Sequence, residues 1–133
     1  MCLKTILFGL FSAMISLTAF SQREFKMPGD SGIVMKRYVF MLLNEGKKRD
    51  QDSVTLVKVQ EGHMQHISEM AKTGKMIIAG PFDNGGKHRG ILIFDVDSIS
   101  QAIRMESTDP AVLAGRLEME AIYWYAAKGS KLP

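Results

Sequence analysis

Arg37-Tyr38-Val39-Phe40-Met41-Leu42-Leu43, closed by Asn44-Glu45-Gly46, is the stretch on which the fold turns. It is dense in β-forming residues and ends on a turn signal, so it reads as a strand. Both of its alternating sets are apolar: Val39, Met41 and Leu43 on one side, Tyr38, Phe40 and Leu42 on the other. An antiparallel strand with one wet face alternates apolar with polar, whereas a strand covered on both faces need not. Ile91–Phe94 has the same double character, and Ala121–Trp124 nearly so.

C-terminal to this strand, a charged loop (Lys47–Asp52) leads into a helical pattern. Leu56, Val59, His63, Ile67 and Met70 are spaced by 3, 4, 4 and 3, which puts them on one stripe. Gly74 stands where a helix C-terminus favours glycine. Met76-Ile77-Ile78-Ala79 is a second strand, Gly80 to Gly90 a long hairpin loop, and Gly90–Val96 a third strand. Asp97-Ser98 offers an N-cap for a helix from about Ile99 to Ser107, whose apolar face is weak. Leu117–Trp124 is the fourth strand. The order β-α-β-β-α-β predicts an α+β ferredoxin-like fold, a four-stranded antiparallel sheet with both helices on one face. Two helices cover only one face of a sheet whose strands are apolar on both. The simplest cover for the other face is a second copy, so a homodimer joined through the sheet faces is expected.

At 133 residues the chain has room for one domain, and 46% hydrophobic with 23% charged residues is an ordinary globular composition. Its first segment differs from the rest. One positive charge in Met1–Lys4, the uncharged run Thr5–Phe20 and the small-x-small exit Ala19-Phe20-Ser21 form the layout of a secretory signal, 1–21, cut before Gln22. An uncleaved anchor is the alternative, but the run is short for a span and no basic cluster directly follows it. Export to the periplasm or beyond is therefore expected, with no stable membrane insertion once the signal is removed. The polar, turn-rich residues 22–34 read as a flexible leader, 35–127 as the domain and 128–133 as a basic tail. Loss of Lys4 takes the net charge from +3 to +2, no footprint for nucleic acid. Cys2, the single cysteine, leaves with the signal, so the mature chain has no thiol chemistry.

His63, midway along the apolar stripe, should point at the sheet. It is either a core histidine satisfied by a carbonyl or carboxylate, or a general acid/base. Asp109 is the candidate partner. In Asp109-Pro110-Ala111-Val112-Leu113-Ala114-Gly115 it has the form of an N-cap with Pro at the first helical position and Gly beyond the end. A cap and an orienting partner are compatible roles, since both call for an ionised, fixed carboxylate. His63-x-x-His66 lacks the further ligands that would complete a metal site, so no metal is expected. Gly80-Pro81 and Gly85-Gly86 belong to a hairpin, without the G-x-G-x-x-G pattern of a phosphate loop. His88 and Arg89 read as solvated unless a ligand reaches them. No serine lies in a nucleophile-elbow motif.

His63 eleven residues before Gly74, then Lys75-Met76-Ile77-Ile78-Ala79-Gly80-Pro81-Phe82, Gly90, and Asp109-Pro110 with Gly115 stand in a characteristic order. Together they resemble the YCII-related family of small dimeric α+β-barrel proteins, from Tyr38 to about Trp124. The resemblance implies a paired His and Asp at His63 and Asp109, no cofactor, and chemistry of the lyase, dehydrochlorinase or isomerase type on small, often cyclic, molecules. An export signal is a departure from the usual member, and it leaves the substrate class open.

Two readings follow. In one, the protein is an enzyme: a small carbonyl-bearing or aromatic ligand lies between the first helix, the sheet and the Gly80–Gly90 loop, contacted by His66, Gly80, Pro81 and Phe82. His63 moves a proton and Asp109 holds its tautomer. In the other, the same pocket belongs to a binding or sensing module without catalysis.

Overall fold

The computed structural model of the protein describes residues 23–29 and 31–133. The expected secretory signal, 1–21, lies outside the described residues. Among them, five strands and three helices run in the order β1 (Glu24–Lys26), β2 (Val34–Glu45), α1 (Ser53–Lys72), β3 (Met76–Pro81), β4 (His88–Phe94), α2 (Ile99–Glu106), α3 (Pro110–Leu113) and β5 (Leu117–Ala127). None of the described helices is long and apolar enough to cross a membrane.

β2 organises the sheet. One of its edges pairs with β5 over its whole length, Met35 opposite Ala127 through Glu45 opposite Leu117. Its other edge pairs with β4 from Val39 opposite Phe94 to Asn44 opposite His88, and β3 closes the far side of β4. All pairings are antiparallel, and the order β5-β2-β4-β3 is that of the ferredoxin-like layout.

The fifth strand is a correction to the sequence reading. Glu24–Lys26, within the stretch expected to be a flexible leader, pairs with Val34–Lys36 on the β2 edge that β4 leaves free. Side chains hold it there. Arg23 reaches Asp95 and Asp97 at the end of β4, Phe25 meets Tyr125 edge to face with ring centroids 5.3 Å apart, and Lys128 pairs with Glu24 at 2.9 Å. These partners lie about 70 to 100 positions away along the chain, so local composition, rich in turn formers, could not reveal them.

The core lies between the sheet and the helices. Val39, Met41 and Leu43 of β2 with Leu92 and Phe94 of β4 meet Ala102 of α2, and Ile67 and Met70 of α1 pack against them. Both long helices thus cover one face. The other face carries Tyr38, Phe40, Ile91 and Ile93, flanked by Ile122 and Trp124 of β5, which register opposite Phe40 and Tyr38. Ile122 is 54% and Trp124 41% exposed.

α1 begins at Asp52, whose side chain accepts from Thr55 N at 2.7 Å. It stops before Gly74 at φ +72°, a conformation glycine adopts without strain. α2 starts on Ser98 and α3 on Asp109, each accepting from a backbone N–H in its first turn. The weak apolar face of α2 has a specific origin: its two buried residues are Ala102 and Glu106, one turn apart, so a glutamate occupies a core position.

Candidate functional site

α1 and α3 bring His63 and Asp109 together. Gly62 of α1 makes that approach possible: a Cβ there would lie 2.8 Å from Cγ of Pro110, so the Pro110 ring occupies space that any other residue would fill. With Pro110 seated on the helix, the neighbouring residues on each side, His63 and Asp109, meet. His63 Nδ1 lies 2.6 Å from Asp109 Oδ2. The other carboxylate oxygen, Oδ1, accepts from Ala111 N at 2.8 Å. Asp109 is fully buried and the His63 side chain 17% exposed.

An ionised carboxylate only accepts, so the proton between the two belongs to the imidazole: His63 Nδ1–H donates to Asp109. Burial raises the Asp109 pKa, but hydrogen bonds from His63, Glu106 and the Ala111 N–H together outweigh it and hold the carboxyl below its ordinary value. Asp109 therefore caps α3 with one carboxylate oxygen and meets His63 with the other. His63 Nε2 is left for the cavity that this residue lines.

Behind the pair stands a second one that sequence reasoning missed. His66 Nε2 lies 3.1 Å from Glu106 Oε2, and Glu106 is fully buried. Burial, and next the adjacent Asp109, pushes the Glu106 carboxyl up to about 9, so it is neutral at physiological pH. That state resolves an otherwise orphaned atom. Glu106 Oε1 is buried with no donor to accept from, and a protonated Glu106 carboxyl can donate to the neighbouring Asp109. Burial also lowers the His66 pKa and favours the neutral ring, whose Nε2–H donates to Oε2. The four residues then form one chain: His66 to Glu106, Glu106 to Asp109, and His63 to Asp109 from the opposite side. The signal available in the sequence was a carboxylate on the inward face of α2, at the position one turn after Ala102.

One ligand atom each from His63, Glu106 and Asp109 lie within 4.8 Å of one another, close enough to raise the question of a metal. The His63–Asp109 separation of 2.6 Å is a hydrogen-bond length. Ligands about 2.0–2.2 Å from a tetrahedral zinc stand roughly 3.3 Å apart. The His63–Asp109 contact is too close for two ligands of one zinc and suits a shared proton.

His63 forms part of the wall of a cavity of about 560 Å³ between α1, the ends of β2, β3 and β4, and the start of β5. That volume suits a small organic molecule. Leu56, Val59 and Ile67 supply an apolar wall from the same stripe of α1, and Leu43 and Leu92 the floor. Gly80 and Pro81 also line it. Phe82 and His66, named from sequence as ligand contacts, are not among the lining residues. Phe82 stands 44% exposed in the hairpin, 6.5 Å from the His88 ring, and His66 is buried behind the wall on Glu106. Arg89 is not solvated in the simple sense expected: it faces the cavity and pairs with Glu45 at 2.6 Å. Arg49 and Arg116, which no motif marked, face the cavity too. His88 turns to Asn44 instead, with Nδ1 2.7 Å from Oδ1.

No family model and no curated protein matches this sequence. Among solved structures the chain is similar to the 5-chloro-2-hydroxyhydroquinone dehydrochlorinase of Burkholderia phenoliruptrix AC1100, solved in complex with 2,5-dihydroxybenzoquinone. The likeness covers 65% of this chain and 90% of that one at 16% identity, with a TM-score of 0.43. Similarity at that level says nothing about the reaction of this protein.

Proposed function

We propose that the protein is an exported, YCII-like enzyme that moves a proton on a small carbonyl-bearing or aromatic molecule, in a reaction of the lyase, dehydrochlorinase or isomerase type. The observation that carries this reading is the 2.6 Å contact between His63 Nδ1 and a buried Asp109, with His63 on the wall of the cavity. Asp109 keeps the proton on Nδ1 and stabilises imidazolium. The Nε2 lone pair then takes a proton from a substrate carbon or hydroxyl and returns it to the product or leaving group. Glu106 holds the inner side of Asp109 in place without adding a competing negative charge. The YCII-like assignment rests on the order of His63, Gly74, Lys75–Phe82, Gly90, Asp109-Pro110 and Gly115, and on the β5-β2-β4-β3 sheet.

The same reading includes a homodimer through the sheet face that the helices leave bare. A patch holding Phe40, Ile122 and Trp124 is a contact surface of the kind that association covers. The secretory signal read at 1–21 supports export.

A thermal-shift screen of small cyclic and carbonyl compounds, followed by turnover assays on the hits, tests the function. Wild type should convert at least one binder, and His63→Ala should bind it but convert it at least 100-fold more slowly, in line with the roughly 10²–10⁴ that a positioned acid/base supplies. Binding without turnover by wild type would identify a capture module instead.

A further inference from the structure

The wall of the cavity carries more positive charge than the described residues neutralise. Arg49, from the loop after β2, Arg89 of β4 and Arg116, just before β5, all line it. Among the described residues, Glu45, at the end of β2, is the one acidic side chain paired to them: Arg89 Nη2 lies 2.6 Å from its Oε2 and Arg49 Nε 3.5 Å from its Oε1. Among the described residues Arg116 has no carboxylate within ion-pair distance. Its Nη1 donates to the amide oxygen of Gln51 at 2.9 Å, and Arg49 Nη1 donates to the Arg116 carbonyl at 3.1 Å. Arg89 Nε is buried and donates to nothing among the described residues. Three guanidinium groups against one carboxylate leave an excess of two positive charges beside an apolar chamber.

A cleft lined by an excess of one sign of charge attracts a group of the other sign. Burial first, and then the charges of Arg49 and Arg89, lower the Arg116 pKa, while Glu45 raises it. Structural arginines normally distribute their donors among carboxylates and carbonyls. Here a guanidinium that has no carboxylate partner among the described residues lines the same cavity as His63. Guanidinium presents a planar fork that matches a carboxylate in two parallel hydrogen bonds, which an amide or ketone oxygen cannot reproduce.

We propose that the ligand of this cavity is a small organic acid, its carboxylate held by Arg89 and Arg116 while its apolar part lies along Leu56, Val59 and Ile67 under His63. This deepens the enzyme reading and rests on it for the reaction, though the binding claim stands by itself. The arginines also make chemical sense of the proton transfer. A carboxylate held by two guanidiniums disperses the negative charge that develops on an adjacent carbon when His63 removes its proton.

The test uses matched pairs of probes: benzoate, 3-phenylpropanoate and 2-oxobutanoate against their amides, with inorganic phosphate as a further anion, measured by calorimetry at low and at physiological salt. At least one carboxylate should bind tenfold or more tightly than its amide and than phosphate, and should weaken with salt. Arg116→Gln should weaken that carboxylate at least tenfold. Glu45→Gln, which removes the internal competitor, should tighten it severalfold. An effect of opposite sign from two neighbouring charge removals is not what misfolding produces. If each carboxylate and its amide bind alike, if phosphate binds as well as any carboxylate, or if Arg116→Gln leaves affinity unchanged, the proposal is overturned. Carboxylate-selective binding without turnover would keep this inference and sink the enzyme reading. His63-dependent turnover of neutral compounds, with no carboxylate preference, would do the reverse.

Discussion

Asp109 is asked to do two things by one side chain, and substitution separates them. Asparagine caps a helix about as well as aspartate, so Asp109→Asn should keep α3 and cost under about 1 kcal/mol through that route. It cannot offer His63 a full negative charge, so turnover by the proposed enzyme should fall by roughly 10²–10⁴. Asp109→Ala should lower stability by about 2–4 kcal/mol in thermal or denaturant unfolding. It loses the cap, about 1 kcal/mol, and also leaves the His63 and Glu106 donors buried without an acceptor. Glu106 makes a separate prediction about pH. Its folded-state pKa is raised from 4.5 to about 9. The stability it contributes is therefore fully present below pH 4.5 and is lost as pH rises towards 9. His66, with a lowered pKa, acts the other way below its ordinary 6.5, so the fall should be clearest between pH 6.5 and 9. Asp109, also lowered, gives stability that disappears only as pH drops below 3.8. Glu106→Gln mimics the protonated carboxyl, with an amide that donates to Asp109 and a carbonyl that accepts from His66. Its unfolding free energy should stay flat from pH 6.5 to 9 where wild type declines; parallel curves would show Glu106 ionised and the proton chain misassigned.

At the scale of elements, the decisive contact is α1 against α3. Replacing glycine by alanine inside a helix ordinarily stabilises by up to about 1 kcal/mol. At Gly62 the new methyl group would meet Pro110 at 2.8 Å, and a ring locked in the first turn of a capped helix cannot swing aside. Gly62→Ala should therefore destabilise by roughly 1–3 kcal/mol, the range of an overpacked contact. It should also displace Asp109 from His63. The Nδ1–H proton resonance of His63, held by a short hydrogen bond in wild type, is the direct readout: it should broaden or vanish in the variant.

For the whole molecule, the exposed side of the sheet matters most. Ile122 and Trp124 stand next to Phe40 and Tyr38 on a face no helix covers. If that face joins two copies, Trp124→Glu places a charge in the contact, and sedimentation should show a dimer for wild type at micromolar concentration and a monomer for the variant. A wild-type monomer would leave the double apolar character of β2 unexplained. The cavity opens near the ends of β2, β3 and β4, on the helix side, so the monomeric variant should still bind a ligand of that cavity.

Much of this was legible along the chain because it depends on neighbours in sequence. The strand and helix periods, the caps at Asp109 and Ser98 and the inward direction of His63 are set by alternation, by 3.6-residue spacing and by turn chemistry, each read within a few positions. Asp109 opposite His63 was inferable because the β-α-β-β-α-β order puts both helical segments on one face, although their spacing of 46 positions carries no contact in itself. Tertiary structure alone decided the rest. Glu106 became neutral only because α2 buries it against another carboxyl; on the helix by itself it is an ordinary charged residue. His66, one turn from His63, faces away from the cavity because two residues so spaced point in somewhat different directions around α1. Arg49, Arg89 and Arg116 come from a loop, a strand and a strand entrance, and a charge cluster exists only once the chain has gathered them. β1 likewise needed partners from the far end of the chain. Local propensity is written in sequence; the environment that sets a side chain's charge, burial and company is made by packing, and in this protein the proton chain and the arginine cluster are both of that second kind.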